Sequence, residues 1–324
     1  MTRSKVLVYK GLPADQVERI RAEHEVIELD PHSADQRSAF LDALGEVAGI
    51  VGAPYRIGEA ELGRAKSLRV VSSVSVGVDA FPLAALHQRG IVLCHTPDVL
   101  TESVADLLMA MVLTASRRIC ELANLVGQGG WKTSVGPSLY GWEVQGKTLG
   151  VLGYGRIGQA VARRAALGFN MPVLYRSRSQ VDSGLPDGLA RQVDLPELLR
   201  ESDFLVIVLP SSPATRGLIG AAELAQMKPE AILVNGGRGP VLDEDALVAA
   251  LDGGRLRAAA LDVFVTEPLP MDSPLRTHPK VLALPHVGSA THETRHAMAT
   301  MATSNLLQVL RGEAPLAAYD TSGA

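Results

Sequence analysis

Short apolar runs alternate with longer amphipathic stretches from one end of the chain to the other. The runs predict strands over 5–9, 25–29, 48–51, 69–73 and 91–94, and again over 148–152, 172–175, 204–209, 232–235, 258–262 and 281–284. Apolar positions recurring at helical spacing fill the gaps and predict helices there, for example over 82–89, 157–166, 243–251 and 291–310. The longest helical pattern, 100–126, leads into a Gly-rich segment, GQGGWKTSVGPSLYGWEVQGK, that reads as a surface loop before a fresh strand. Strand–helix alternation of this kind builds parallel sheets with helices on both faces. The predicted fold class is α/β, with two doubly wound parallel-sheet units joined by at least one long helix.

Composition narrows the picture. A length of 324 residues is too great for one ordinary core and suits two domains. Hydrophobic residues at 47% and charged residues at 20% mark a globular chain rather than a disordered one. A net charge of −4, with acids and bases interspersed, offers no basic arm, so nucleic acid is not an expected partner. No stretch approaches the about 20 apolar residues that span a bilayer, and no membrane association is expected. The opening MTRSKVLVYK has an apolar run too short for a signal peptide. A cytoplasmic location is therefore expected, with Cys94 and Cys120 as free thiols.

Chemistry first becomes specific at TLGVLGYGRIGQAVARRAALGF. An apolar strand runs directly into Gly153, Tyr154, Gly155, Arg156, Ile157 and Gly158, and a helical pattern starts at once. Gly153 permits a tight turn, Gly155 lets backbone approach a pyrophosphate, and Gly158 lets helix and strand pack closely. Free N–H groups at the helix start then face the anion. Taken alone the Gly-x-Gly-x-x-Gly spacing is weak; between a strand and a helix, with a second strand about 20 residues on, it predicts a dinucleotide site. The end of that second strand selects the cofactor. NAD-preferring sites place an acid there for the ribose hydroxyls, but this chain reads Tyr175, Arg176, Ser177, Arg178, and the first acid is Asp182. Arg176 and Arg178, with the Ser177 hydroxyl, suit a 2′-phosphate. NADP(H) is thus the expected cofactor, with NAD(H) also possible; the bland alternative is a pair of solvated loop arginines.

Three further segments deliver polar side chains where strands end, which is where open α/β sheets bind ligands. They carry Arg238 in VNGGRG, Asp262 and Glu267 in LDVFVTEP, and His286 in LPHVGSA. Reduction of a 2-keto acid needs a cation for the carboxylate and carbonyl, which suits Arg238. It also needs a proton donor near neutral pH, which suits His286, with Glu267 favouring the imidazolium. Each residue alone is as well explained by structure or solvation; the set at three strand ends points to a site. No metal is expected in it.

With these motifs in hand, the chain resembles the D-isomer-specific 2-hydroxyacid dehydrogenases, in particular their glyoxylate/hydroxypyruvate reductase branch. The likeness runs nearly the whole length and rests on VSSVSVGVDAF, HTPDVLTESVADL, LGVLGYGRIG, LVNGGRGPVLDEDAL, LDVFVTEP and LPHVGSATHETR. It implies a Rossmann-type cofactor domain, 99–288, inserted in a flavodoxin-like substrate domain, 1–98 and 289–324. It implies Arg238, Glu267 and His286 as the catalytic set, and the backbone N–H groups of Val76 and Gly77 as holders of the substrate carboxylate. Asp262 would contact the nicotinamide carboxamide, while Thr101 would lie near the cofactor phosphates and Pro210 among the cofactor-binding residues. The resemblance further implies a homodimer and a small 2-keto or 2-hydroxy acid as the substrate, reduced to the D-2-hydroxy acid. The segment 131–142 matches no particular member closely, so the acyl tail of the substrate stays open. Arg295 is a second cation that fits either a site or a solvated helix face.

Two rivals are weighed. His292, Glu293 and His296 match the HExxH spacing of zinc hydrolases, in which two histidines on one helix face share a metal. A third ligand is wanting, since only Glu313 and Asp320 carry side-chain carboxylates after His296. The other rival is a non-enzymatic protein that senses NAD(P) on the same fold, against which the complete Arg–Glu–His set argues.

Overall fold

The computed structural model describes residues 3–10, 12–186 and 188–322. Contacts divide the chain into two compact units, Met1–Leu100 with Ala290–Ala324, and Thr101–Ser289.

The first unit is built on five strands, β1 (Lys5–Val8), β2 (Glu25–Glu28), β3 (Gly49–Gly52), β4 (Val70–Ser73) and β5 (Val92–Cys94), in the order β2-β1-β3-β4-β5. All of these pairs are parallel. Helices α1 (Ala14–Glu23), α2 (Arg37–Ala43), α3 (Glu59–Arg64) and α4 (Leu83–Gln88) connect them. β3 and β4 are buried along their whole length, as a strand covered on both faces must be. Leu7, Ile50, Val71 and Phe40 fill one core, with Tyr9 and Tyr55 edge-on to Phe40.

The second unit opens with α5 (Thr101–Arg117) and α6 (Ile119–Gly127). Its sheet comprises β6 (Leu149–Leu152), β7 (Val173–Arg176), β8 (Ala190–Gln192), β9 (Phe204–Ile207), β10 (Ile232–Asn235), β11 (Ala258–Leu261) and β12 (Val281–Ala283). The order is β12-β11-β10-β9-β6-β7-β8, again wholly parallel. Helices α7 (Arg156–Phe169), α8 (Leu195–Glu201), α9 (Ala221–Leu224) and α10 (Glu244–Asp252) cross between strands, and α11 (His292–Arg311) returns the chain to the first unit. The strand order reverses between β6 and β9, and sheets of this kind take ligands in the crevice beyond the carboxyl ends at such a point. α5 lies along α7, where Glu102 pairs with Arg163 and Arg164 at 2.9 and 2.7 Å.

The α/β class and the parallel sheets are as the apolar pattern predicts, with two differences. β8 (Ala190–Gln192) was not predicted; it is a polar, largely exposed edge strand and carries no apolar run. The predicted single helix over 100–126 is broken at Arg118, which adopts a left-handed backbone (φ 55°). Arg118 bonds Glu121 and the carbonyl oxygens of Ser138 and Tyr140, so the break is fixed by the following loop. Among the described residues, no helix is long and apolar enough to cross a membrane.

Candidate active site

β6 ends at Leu152 and Gly153 follows with φ +103°, a conformation that L side chains rarely adopt. A Cβ there would also stand 2.8 Å from the carbonyl oxygen of Val208 on the neighbouring strand exit. At Gly158 a Cβ would overlap the carbonyl oxygen of Gly153, so α7 starts hard against the strand it follows. Gly155, the N-cap of α7, is exposed, and a Cβ there would meet nothing. Open space thus lies over the first turn of a 14-residue helix, whose leading N–H groups at Arg156 and Ile157 have no intrahelical acceptor. These residues fit a dinucleotide pyrophosphate. Tyr154 is different: its ring is buried and stacked on Tyr175.

Arg176 ends β7 in register with Leu152, and its carbonyl accepts from the Gly153 N–H at 3.1 Å. The glycine turn and the end of β7 are therefore directly bonded. Arg176 and Arg178 are exposed and Ser177 is half-buried. Pro210 is exposed just past β9, its carbonyl held by the Thr215 hydroxyl at 2.7 Å.

On the other side of the crevice, Asn235 closes β10 and shapes the next turn with its own side chain. Its Oδ1 accepts from Gly237 N at 3.1 Å, and its Nδ2 donates to the Arg238 carbonyl at 3.2 Å. Arg238 is half-buried, with Nη1 donating to the Gly237 carbonyl at 2.9 Å. Gly239 next to it lies so close to the chain at Phe264 that any side chain would run into the Phe264 carbonyl. The Arg238 turn and the Phe264–Glu267 loop are thereby packed backbone to backbone.

Glu267 spends both carboxylate oxygens locally. Oε1 accepts from the Phe264 N–H at 2.9 Å, and Oε2 lies 2.7 Å from Nδ1 of His286. With Nδ1 so engaged, Nε2 is the ring nitrogen able to exchange a proton with a ligand. His286 has a left-handed backbone (φ 56°), which costs a residue with a Cβ roughly 1–2 kcal/mol. Two charge-assisted bonds offset that strain: the buried Asp262 carboxylate accepts from Val287 N at 2.8 Å and Gly288 N at 2.9 Å. A cavity of about 560 Å³ opens beside the pair, walled by Phe264, Pro268, Leu269, Leu284 and Pro285, with Arg276 as a cation on its lining.

Burial is the largest single influence on Glu267 and pushes its carboxyl upward. The His286 hydrogen bond, the Phe264 amide and the charges of His286 and Arg238 together outweigh it, so the carboxyl ends below its ordinary range. Asp262 goes the other way: burial raises it, and the Val287 and Gly288 amides only partly restore it.

Val76 and Gly77 form the half-buried turn after β4 in the first unit, with the Gly77 carbonyl accepting from the Ser75 hydroxyl at 2.8 Å. The Val76 carbonyl faces Nδ1 of His95 at 3.1 Å. Thr101 is the first residue of α5. His292 and His296 are exposed at the start of α11, as is Arg295, and His296 Nε2 lies 3.7 Å from Asp15. Among the described residues, no three His, Cys, Asp or Glu side chains gather at metal-binding distance.

One residue beside the site, Glu244, escapes sequence reasoning, and a second, Asp262, is read there for its position and not for its role. Glu244 reads as an ordinary helix start in DEDAL, yet its Oε1 accepts from Val265 N at 2.7 Å and braces the Glu267 loop. Burial raises its carboxyl, and Asp245 and Glu267 raise it further. Asp262 is legible as a strand-end acid, but nothing in the sequence says that it holds the backbone after His286.

Residues 109–288 match the family described as D-isomer specific 2-hydroxyacid dehydrogenase, NAD binding domain. The glyoxylate/hydroxypyruvate reductase B of Yersinia enterocolitica is 49% identical over 310 residues, covering 96% of this chain and 95% of the relative. That of Escherichia coli K12 is 47% identical over 314 residues, covering 96% of each. Among solved structures, a protein of Thermus thermophilus superposes with a TM-score of 0.90 at 40% identity, covering 98% of this chain and all of the other. An NADPH-dependent glyoxylate/hydroxypyruvate reductase of Sinorhizobium meliloti, solved with NADP and malonate, superposes with a TM-score of 0.86 at 30% identity, covering 99% and 98%.

Proposed function

We propose that this chain, which belongs to the D-isomer specific 2-hydroxyacid dehydrogenases, is an NAD(P)H-dependent reductase of small 2-keto acids such as glyoxylate and hydroxypyruvate, yielding the D-2-hydroxy acid. One observation carries the reading: an imidazole held at Nδ1 by a carboxylate, with an arginine turn packed against the same loop. The relatives named for glyoxylate and hydroxypyruvate support the substrate class.

The chemistry divides among the chain's own groups. The first turn of α7, with Gly153, Gly155 and Gly158, would hold the cofactor pyrophosphate, with Thr101, Tyr154, Arg156, Ile157 and Pro210 around it. When bound, that cofactor supplies the hydride for the carbonyl carbon. Arg238 grips the substrate carboxylate and polarises the carbonyl through paired N–H donors. His286 delivers a proton from Nε2 to the carbonyl oxygen. Glu267 fixes the ring and stabilises the imidazolium, and Asp262 fixes the backbone on which the ring is mounted. In the first unit, the substrate domain of this proposal, the Val76 and Gly77 amides are assigned to the carboxylate. The cavity beside His286 falls within the size range of small-molecule sites.

NADPH preference belongs to the same proposal and is supported by Arg176, Ser177 and Arg178 at a strand end without an acid. So does a homodimer. α6 buries none of its residues, and Ile119, Val126, Trp131 and Tyr140 are each at least half exposed, a run of apolar surface that a second copy would cover. A cytoplasmic site is supported by two unpaired thiols, Cys94 and Cys120.

An initial-rate panel tests the whole: glyoxylate, hydroxypyruvate and an aryl pyruvate, each with NADPH and with NADH. Turnover of the two small acids is the expected result. Tight cofactor binding without turnover of any acid would instead favour a sensor on the same fold.

A further inference from the structure

Tyr154 occupies the variable position of the phosphate turn, where its side chain is 3% exposed. Its ring stacks on Tyr175 with centroids 3.8 Å apart and planes 19° from parallel. Both hydroxyls run on past this stack into the loop that follows β7. Tyr154 Oη donates to the Ser183 carbonyl at 3.0 Å, and Tyr175 Oη donates to the Val181 carbonyl at 3.2 Å. From the far side, Gln192 on the edge strand β8 donates through Nε2 to the carbonyls of Ser177 at 3.2 Å and Ser179 at 3.4 Å. The loop is thus tied down at four carbonyls by three side chains, and Arg176, Ser177 and Arg178 stand at its root.

We propose that Tyr154 and Tyr175 are positioning residues for cofactor selection: their hydroxyls hold the 177–183 loop so that Arg176, Ser177 and Arg178 present one fixed cradle to the 2′-phosphate of NADPH. The inference rests on the NADPH reading above and goes beyond it by adding groups that act on the discriminating residues. The physical ground is preorganisation. A doubly charged phosphate is bound best by guanidinium forks already in place, because ordering a loop at the moment of binding consumes affinity. Burial pushes the Tyr154 phenol up to about 12, with the nearby Tyr175 and Asp182 adding to the rise, so the hydroxyl stays a neutral donor throughout the working range. NADH lacks the 2′-phosphate, so its binding does not use the cradle.

The test compares the full-length wild type with Y154F, Y175F and R176A, measuring kcat/KM for NADPH and for NADH at saturating glyoxylate. Phenylalanine keeps the stacked rings and removes only the bond to the loop. The expected result is that the NADPH-over-NADH ratio of kcat/KM falls about three- to tenfold in each tyrosine variant, the loss of one hydrogen bond, through KM for NADPH. Amide hydrogen exchange over 177–185 should quicken in the same variants without cofactor. A fall shared equally by both cofactors would mean a merely structural role and would overturn the inference. So would a ratio that R176A abolishes and both tyrosine variants leave intact. A wild type indifferent to the 2′-phosphate would overturn the NADPH reading, and this inference with it.

Discussion

Nδ1 of His286 lies 2.7 Å from Oε2 of Glu267, while the other oxygen of that carboxylate accepts from the backbone of Phe264. The imidazole is therefore oriented by a group that is itself anchored. If Nε2 supplies the proton, H286A should lower kcat by about 10²–10⁴-fold while the dissociation constant for NADPH stays within a factor of about two. Stopped-flow turnover and fluorescence titration measure the two separately. A comparable loss of cofactor affinity would count against the proton-donor role.

E267Q keeps the volume of the side chain but removes its charge. The ring then loses the charged acceptor at Nδ1, so kcat for ketone reduction should fall about tenfold or more while the dissociation constant for NADPH holds. Stability changes as well. A carboxyl whose folded pKa is depressed adds stability above its unfolded value of about 4.3, and that stability is lost as pH falls through the lower folded value. Acid titration below about pH 5 should therefore cost the wild type more than E267Q. The difference stays under about 1 kcal/mol, because the carboxylate is 36% exposed and screened by water.

Asp262 supports His286 at one remove. D262N would turn an amide NH₂ toward one of two backbone N–H groups, leaving a buried donor unmatched at a cost of about 1–3 kcal/mol. Thermal denaturation should register that loss. In addition, kcat should fall more than KM rises, since the left-handed His286 backbone is released with the clamp. A variant as active and as stable as the wild type would remove Asp262 from the site.

Cofactor choice is reversible on this account. R176D places at the end of β7 the acid that NAD-type sites carry, and it also removes a phosphate ligand. The NADPH-over-NADH ratio of kcat/KM should invert, by about tenfold or more in total. An unchanged ratio would show that Arg176 is a solvated loop residue.

The exposed face of α6 gives the last prediction. I119D puts a charge on α6, which buries none of its residues and exposes Ile119 and Val126. Sedimentation of the wild type should report a dimer at micromolar concentration, and I119D should weaken it at least about tenfold. A monomeric wild type would end the proposal.

Most of the scaffold is legible before folding. A wholly apolar run such as Phe204–Ile207 has few places to go except the middle of a covered parallel sheet. The Gly153–Gly158 spacing is legible for the same kind of reason: each glycine answers a local steric demand of a strand–turn–helix joint. Arg238, Glu267 and His286 could be picked out as candidates because each follows a strand, and open α/β sheets bind ligands beyond their strand ends. Tertiary structure alone decides the rest, because those features depend on atoms distant in sequence. Asp262 meets Gly288 across 26 residues, and Tyr154 meets Ser183 across 29. Arg118 breaks a helix whose pattern continues past it, and its guanidinium bonds carbonyls at Ser138 and Tyr140, about 20 residues on. Periodicity records how a segment meets water and core; it holds no record of which distant carbonyl a side chain will find.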